Sequence, residues 1–564
     1  MNSFFIVVVT FVLYLLAYYT YGRFLARKIF KINPQNRCPS ETLRDDVDYV
    51  PTNKMVLFGH HFTSIAGTGP IVGPAIAIIW GWVPALIWIL LGSIFMGAVH
   101  DFGSMVVSMR NDGRSIGELA GNIINRRVRI LFMLIIFFTL WIVIAIFGVV
   151  IASVFTMFPT SVLPVWLQMP IAILLGFVVY KKGASPLISG LIATVFMYLT
   201  IWLGALFPGI GDHLPSVGGW VVILLIYAYI ASTLPVTFLL QPRDYINAFQ
   251  LAIAMVLLLL GIAVSHPPMV APAVHLHPTG APPIFPILFI TIACGAISGF
   301  HSLVSSGTTS KQCDNERNAQ GISYGSMLLE GLLAVIVLIA CGAGIGLGLD
   351  SGGEHFTGIA AFSKQYETWN AAKGLSAKIA AFVTGAANMT THLGISREVL
   401  LTLMGVFVAS FAATTLDTAT RIQRYIVAEI SVHCNVPALS KKHPATFIAV
   451  VTALLLAFSA NGGKGALALW PLFGAVNQLL AGLSLLVITI WLAKRNAPII
   501  YTTIPMVFMV GITAWAMQIN LVRFFAHQQW MLLGIGAFIL LLQIWMVIEG
   551  VVALIAIKRK NRSH

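Results

Sequence analysis

Long apolar runs, separated by short polar loops, occupy almost the whole chain. Each run is close to the roughly 20 residues that an α-helix needs to cross the hydrocarbon core of a bilayer. The pattern predicts an all-α polytopic membrane protein with about 15 transmembrane helices. The predicted spans lie at 2–27, 57–80, 84–109, 130–158, 164–180, 186–207, 219–240, 246–265, 284–305, 322–349, 396–417, 444–460, 467–493, 499–519 and 530–557.

The run at 57–80 is interrupted in its middle. Glycine and proline crowd the stretch HHFTSIAGTGPIVGPAIAIIW (60–80), including Gly67, Gly69 and Pro70. A helix broken in this way leaves backbone N–H and C=O groups unpaired, so it persists in a membrane where it lines a cavity or binds a solute. We therefore expect a broken helix here. The alternatives are an ordinary kink or a helix–helix contact through small residues.

A second run, at 219–240, has a comparable interruption at Ser232-Thr233-Leu234-Pro235. Two broken spans are typical of a secondary transporter. Each broken span begins a set of five membrane spans. Because five is an odd number, the second set enters the membrane from the side opposite to the first. We predict an inverted repeat of 57–207 and 219–417, preceded by an anchor helix and cytoplasmic loop (1–56) and followed by accessory helices (444–564).

Composition agrees with a membrane protein. Hydrophobic residues make up 58% of the 564 positions and charged residues only 9%, against about 25% charged in a typical soluble domain. The net charge of +14 does not indicate nucleic-acid binding, because the basic residues cluster at span ends. With the N-terminus outside and the C-terminus in the cytoplasm, the Lys and Arg residues that fall outside are Lys364, Lys373, Lys378, Arg397, Lys464 and Arg523.

Three further features limit the possible classes of protein. The first apolar run lacks a basic n-region and a small-residue cleavage site, so we expect it to remain as an anchor. The stretch 377–393 is short, and crossing there would place the following basic residues outside, so we expect a re-entrant or interfacial segment. The chain has no GxxxxGK[ST] loop for nucleotide hydrolysis, and its five scattered cysteines predict neither a disulfide framework nor a metal module.

The two interruptions predict where a substrate binds. A half-helix that begins inside the membrane offers free N–H groups to an anion, and a carboxylate suits them. The expected substrate-binding residues are Ser64, Gly67, Thr68 and Gly69 from the first interruption, and Tyr229, Ser232 and Thr233 from the second.

A few polar residues inside spans are candidates for ion coupling. Asp101, with His61, His100 and His301, suits proton coupling, whereas Ser305 and Ser306 suit a sodium site built from oxygen ligands. Asp417 is a coupling carboxylate, a gate element or the i+4 ion-pair partner of Arg421. For all of these residues, the alternative is an ordinary packing role with local hydrogen bonds. Metal binding by the histidines is a further alternative.

Five blocks of sequence are long and distinctive: HHFTSIAGTGPIVGPAIA, GAVHDFGSMVVSMRNDGRSIGELAG (97–121), TLPVTFLLQPRDYIN (233–247), ISGFHSLVSSGTTSKQ (297–312) and ATTLDTATRIQRY (413–425). They resemble the signature blocks of the carbon starvation protein family, CstA. The similarity runs from about residue 50 to 495. It implies a transporter of the bacterial inner membrane in the amino acid/polyamine/organocation superfamily, with a LeuT-like core of five plus five helices.

The resemblance also implies a function. We expect cation symport of small carboxylate-bearing nutrients, either peptides or pyruvate, with the proton as the coupling ion. We expect membrane lipid around the helices, and we expect no catalytic activity, no cofactor and no nucleic-acid partner. The alternatives are a sodium-coupled amino-acid or peptide symporter and an uncoupled channel for small anions. The sequence leaves open the substrate, the coupling ion and the oligomeric state.

Overall fold

The computed structural model describes residues 2–206, 214–459 and 461–562. The predicted boundaries at 1, 207 and 564 lie outside the described residues. The described residues are mostly helical, and they contain one β-hairpin, in which β1 (Leu349–Ser351) pairs antiparallel with β2 (Glu354–Phe356). The α-helices are, in chain order, α1 Ser3–Ala17, α2 Pro39–Thr42, α3 Lys54–Ile65, α4 Gly69–Ala77, α5 Trp82–Gly92, α6 Ala98–Met109, α7 Ile116–Ile123, α8 Arg126–Met157, α9 Val162–Gly176, α10 Pro186–Leu206, α11 Val217–Thr233, α12 Leu240–Ser265, α13 Ile284–Thr291, α14 Gly299–Val304, α15 Ser310–Gln312, α16 Gly325–Gly342, α17 Gly358–Gln365, α18 Trp369–Ala372, α19 Leu375–Thr391, α20 Arg397–His433, α21 Lys442–Ala457, α22 Trp470–Ala493, α23 Ile500–Ala526 and α24 Trp530–Arg562.

Within the described residues, eleven helical stretches are long and apolar enough to cross a membrane, and the bent pair α3–α4 makes a twelfth. The protein is therefore a multi-pass membrane protein. Three predicted runs, 219–240, 284–305 and 444–460, hold shorter helices, so the count of about 15 stays a prediction. The eleven stretches are Ser3–Ile29, Trp82–Met109, Arg126–Met157, Pro159–Lys181, Pro186–Leu206, Leu240–Ser265, Glu316–Leu347, Arg397–His433, Gly465–Ala493, Ile500–Ala526 and Trp530–Arg559.

The first predicted break is present. Helix α3 ends at Ile65, α4 begins at Gly69, and the two axes differ by 41°. Pro70 lies in the first turn of α4, where a missing N–H costs no helical hydrogen bond. The Gly/Pro pattern of this span therefore predicts its geometry correctly.

The second break lies elsewhere in the chain. Helix α11 runs without interruption to Thr233, and the chain then turns before α12 begins at Leu240, because Pro235 disfavours helical backbone at Leu234. The run at 284–305, predicted as one continuous span, is instead split into α13 and α14 by the non-helical segment 292–298. Gly295 has φ +91°, a left-handed conformation that glycine adopts without steric strain.

The two discontinuous helices, α3–α4 and α13–α14, meet in the middle of the helix bundle. Helix α4 packs against α13, and α3 packs against α14. Long helices surround them: α8 packs along α20, α16 packs on α4, and α22 packs on α14. Helix α19, on the predicted re-entrant stretch 377–393, is a continuous helix of 17 residues that packs on α12, α16 and α20. Whether it crosses the membrane stays a prediction.

Candidate functional site

A cavity of about 260 Å³, including space open to solvent, lies where the two helix breaks meet. Most of its lining is apolar or aromatic, and its polar groups are few, which is typical of a site for a small organic molecule. The lining residues are Ile65, Gly67, Gly69, Val143, Phe147, Cys294, Phe300, Thr415, Phe473 and Asn477.

Two glycines allow the broken segments to approach this closely. A Cβ atom on Gly67 would lie 2.3 Å from Thr415 Oγ1, and a Cβ atom on Gly69 would lie 2.3 Å from both Cβ and Sγ of Cys294. Real Cβ atoms do not tolerate such distances, so any other residue would push the chain segments apart. Both glycines were predicted as site residues, and both line the cavity.

Helix N-termini point partial positive charge at the cavity. Helix α4 begins at Gly69, and in the described structure the side chain of its N-cap residue, Thr68, makes no capping hydrogen bond to the helix. At α14, the Phe300 N–H donates to Asn477 Oδ1 at 2.9 Å, so an amide from α22 caps this helix. Pro70 has no N–H, and the Ile71 and Val72 N–H groups donate to the Thr68 carbonyl. In the first turn of α4, this leaves the Gly69 N–H to offer to an anion.

The fourth predicted residue of the first break, Ser64, lies just before it and is fully buried. Its hydroxyl lies 3.2 Å from Thr418 Oγ1, and its carbonyl accepts from the Thr415 hydroxyl at 3.3 Å. Ser64 thus ties α3 to α20 next to the cavity.

On α3, one turn before the first break, His61 forms a fully buried pair with Asp101. His61 Nε2 lies 2.8 Å from Asp101 Oδ2, and His61 Nδ1 lies 2.8 Å from Thr309 Oγ1. The Ser305 hydroxyl donates to the other oxygen of Asp101. Since His61 is on α3, Asp101 on α6 and Ser305 at the start of a π-helical stretch after α14, the carboxylate joins both discontinuous helices.

The neighbouring residue, His60, belongs to a second buried network. His60 Nδ1 lies 2.6 Å from Asp244 Oδ2, and Arg243 donates to the other Asp244 oxygen at 3.2 Å. Arg243 also donates to Asp417 and, at 2.5 Å, to the Tyr227 hydroxyl. Tyr227 donates to Asp417 at 2.7 Å. This network connects α3, α11, α12 and α20.

The other predicted coupling residues do not join the His61–Asp101 pair. Neither ring nitrogen of His100 has a hydrogen-bond partner in the described part of the chain. His301 lies 3.3 Å from Glu330. The Ser306 hydroxyl donates to the Ser302 carbonyl of its own helix at 2.6 Å and accepts from the Ile116 N–H at 3.0 Å.

The second predicted half of the substrate site lies away from the cavity. Ser232 donates to the Tyr229 carbonyl at 3.1 Å, and Thr233 donates to the Ile230 carbonyl at 2.8 Å. The Tyr229 hydroxyl contacts His443 Nδ1 at 3.1 Å. The geometry does not support this half of the prediction, because α11 stays helical through these residues and its hydroxyls bond to its own backbone. From the second break, Cys294 and Phe300 line the cavity instead.

The expected pairing of Asp417 with Arg421 is wrong. Asp417 pairs with Arg243, and Arg421 instead donates to Asp48 at 2.9 Å, in the loop before α3. Arg424 also contacts Asp48, at 3.4 Å. Burial raises the pKa of Asp48, but the two guanidinium groups outweigh burial and lower this pKa to about 2.

Several residues of the site were not assigned a role from the sequence. Cys294, Phe147 and Phe300 gave no local signal, since apolar spans often contain such residues, whereas Glu330 is a costly charge inside a span. Asp244 and Arg243 did give a signal, because charged residues are costly inside a span, but the sequence could not show their partners.

Comparison with known proteins assigns the family. The family model described as "Carbon starvation protein CstA" matches residues 2–516. The "Peptide transporter CstA" of Campylobacter jejuni is 33% identical, with 91% of this chain and 80% of that protein covered. The "Pyruvate/proton symporter BtsT" of Escherichia coli is 32% identical, with 92% and 82% covered. The "Peptide transporter CstA" of Bacillus subtilis is 32% identical, with 90% and 89% covered.

A solved structure supports the fold. The crystal structure of the manganese transporter of Eremococcus coleocola superposes with a TM-score of 0.51 at 12% identity, covering 91% of this chain and 99% of that chain. These relatives and this structural neighbour are transporters and not enzymes. The chain therefore belongs to the carbon starvation protein CstA family and is a membrane transporter.

Proposed function

We propose that the protein is a secondary active importer that carries a small carboxylate-bearing nutrient into the cell together with a proton. The observation that carries the proposal is that two discontinuous helices meet at one cavity, while the buried His61–Asp101 pair joins the same two helices. We place the chain in the bacterial inner membrane, with the N-terminus in the periplasm and the C-terminus in the cytoplasm.

We further propose a LeuT-like arrangement of five plus five helices whose second repeat begins at α13–α14. This division differs from the predicted 57–207 and 219–417. It is supported by matching contacts: α8 packs on α11 as α20 packs on α21, and α12 packs on α3 as α22 packs on α14. The first repeat is 54–80, 82–109, 126–157, 217–233 and 240–265; the second is 284–304, 316–347, 397–433, 442–457 and 465–493.

The cavity favours pyruvate over a peptide as the substrate. Most of the residues that line it are apolar or aromatic. Among the described residues, its lining has no carboxylate that would pair with the ammonium group of a peptide. A carboxylate at the N-terminus of α4 would accept a hydrogen bond from the Gly69 N–H, and the aromatic rings would contact the methyl group.

Protons are favoured over sodium as the coupling ion. Both oxygens of Asp101 are already occupied, by the His61 ring and the Ser305 hydroxyl, and Ser306 uses its hydroxyl within its own helix. A proton taken up by the His61–Asp101 pair changes the charge that holds α3 to the second discontinuous helix. Protonation and substrate binding then act on the same moving elements, which is the requirement for coupling.

The test is uptake of labelled pyruvate and of labelled dialanine into proteoliposomes, under proton and sodium gradients imposed separately. We expect an inward proton gradient to accelerate pyruvate uptake and a sodium gradient to have no effect. Asp101→Asn should reduce gradient-driven uptake at least 10-fold, whereas pyruvate exchange without a gradient continues.

The matched control is Asp350→Asn, because Asp350 is an exposed carboxylate of the β-hairpin outside the cavity. It should transport at the wild-type rate. Acceleration by sodium alone would overturn proton coupling, and uptake of dialanine without pyruvate would overturn the substrate. A conductance that needs no gradient coupling would indicate a channel.

A further inference from the structure

Three buried side chains converge beside the second helix break. They are Cys294 in the non-helical segment 292–298, His301 on α14 and Glu330 on α16. One ligand atom from each lies within 4.8 Å of the other two. The proposed transport mechanism uses none of the three.

The polar atoms of this cluster are not satisfied by one another. His301 Nε2 and Glu330 Oε2 lie 3.3 Å apart without forming a hydrogen bond. Neither His301 nitrogen nor Glu330 Oε2 has a hydrogen-bond partner of normal geometry in the described ranges, although all are fully buried. Buried polar atoms normally have partners, so unsatisfied ones indicate an unseen occupant.

The other atoms around the cluster orient these three side chains. The second Glu330 oxygen accepts from the Gly295 N–H at 3.0 Å, which fixes the carboxylate against the break. The Ile65 carbonyl faces the His301 ring, and Ser298 and Asn477 face the Cys294 thiol. Metal ligands are typically held by such an outer shell of carbonyls and hydroxyls.

We propose that Cys294, His301 and Glu330 bind one divalent transition-metal ion of the zinc class. A thiolate, an imidazole and a carboxylate suit a metal of borderline softness. The two anionic ligands neutralise the divalent ion, so the buried site carries no net charge.

The spacing is close to that of a tetrahedral site. Zinc–nitrogen and zinc–sulfur bonds of roughly 2.0 and 2.3 Å place neighbouring ligand atoms about 3.3–3.6 Å apart. The His301–Glu330 distance already meets this requirement, and the Cys294 sulfur, within 4.8 Å of both atoms, moves closer when the ion binds. Three protein ligands leave a fourth position, and since Cys294 lines the cavity, an ion can reach the site from there.

The test is a titration of the purified full-length protein in detergent with Co²⁺, which reports thiolate ligation by a charge-transfer absorption band. We expect one Co²⁺ per chain, displaced by Zn²⁺. Cys294→Ser should abolish the charge-transfer band, and Glu330→Gln should weaken Co²⁺ binding at least 10-fold. Size-exclusion chromatography checks that each variant is folded.

The matched controls are Cys434→Ser and Cys341→Ser, because these cysteines are free and lie outside the cluster. Both should bind Co²⁺ like the wild type. If Cys294→Ser does not fold, protection of Cys294 from a maleimide by Zn²⁺, followed by mass spectrometry, replaces it. Absence of the band, or a band that persists in Cys294→Ser, would overturn the site. Because binding is measured without transport, neither result bears on the proposed substrate.

Discussion

Arg243 and Asp417 form a fully buried ion pair between the start of α12 and the middle of α20. The Tyr227 hydroxyl bonds to both partners, and Asp244 links the pair to His60 on the first discontinuous helix. Two charges separated by 174 residues of sequence thus belong to a network that joins four helices, α3, α11, α12 and α20. Such a network is a candidate for the closed gate on one side of the site.

Removing one partner of this pair should destabilise the protein strongly. Arg243→Gln leaves the Asp417 carboxylate buried without its cation, and breaking a buried pair typically costs about 3–5 kcal/mol. We expect a clear fall in the thermal unfolding temperature in detergent, and a smaller fall for Arg243→Gln combined with Asp417→Asn, since position 417 then no longer carries an unpaired charge. The control Arg397→Gln removes a surface contact with Asp350 and should leave the unfolding temperature unchanged. A double variant less stable than both single variants would contradict this reading.

Forcing the two broken helices apart at Gly69 should impair transport. Gly69→Ala places a methyl group within 2.3 Å of Cys294 Cβ and Sγ, so the two broken segments must separate. We expect at least a 10-fold loss of pyruvate uptake by protein that still purifies as a monodisperse peak. Gly511→Ala is the matched control, because its Cβ would have no neighbour within 4 Å among the described atoms. Equal uptake by the two variants would show that the close approach at Gly69 is not required.

Hydroxyls on α11 should be dispensable for substrate binding. Ser232 and Thr233 donate to carbonyls of their own helix, so Ser232→Ala and Thr233→Val should leave the KM for uptake within 2-fold of wild type. Thr415→Val, which alters a cavity residue, should raise the KM by a larger factor. A large KM change in the α11 variants, with none in Thr415→Val, would restore the site predicted from sequence.

The contact of Asp48 with Arg421 and Arg424 should be insensitive to physiological pH. The pKa of the Asp48 carboxyl falls from 3.8 to about 2 in the folded protein. The stabilisation from its contact with the two arginines is therefore fully present above about pH 4 and is lost as the pH falls towards 2. Asp48→Asn should therefore lower the unfolding temperature by a constant amount between pH 5 and 8, with the two proteins converging below pH 4. A difference that changes between pH 5 and 8 would assign another titrating group to this contact.

Sequence reasoning was most reliable where the signal is local. The Gly/Pro pattern of 60–80 predicts the break because those residues disrupt a helix wherever they occur. The same reasoning misplaced the second break, because Leu234-Pro235 ends α11 at a turn. The segment 292–298 contains only Gly295 as a glycine and no proline, so its sequence resembles that of a continuous span.

The pairing of charged residues likewise depends on contacts that the local sequence does not reveal. Asp101 and His61 were both candidates from the sequence, but they lie on two separate helices, α6 and α3, which only the fold brings into contact. Asp417 was paired with Arg421 because an i+4 spacing is the only geometry that a single helix reveals. The partner that it has, Arg243, is on another helix.

The amino-acid sequence by itself determined that this chain lies in a membrane, where one helix breaks and which family it belongs to, since hydropathy, backbone breakers and motif blocks are read along the chain. Only the tertiary structure decided which second break faces the first, which carboxylate pairs with which cation, and that Cys294, His301 and Glu330 meet. Those relationships arise from helices packing across long separations in sequence, and no local preference encodes them.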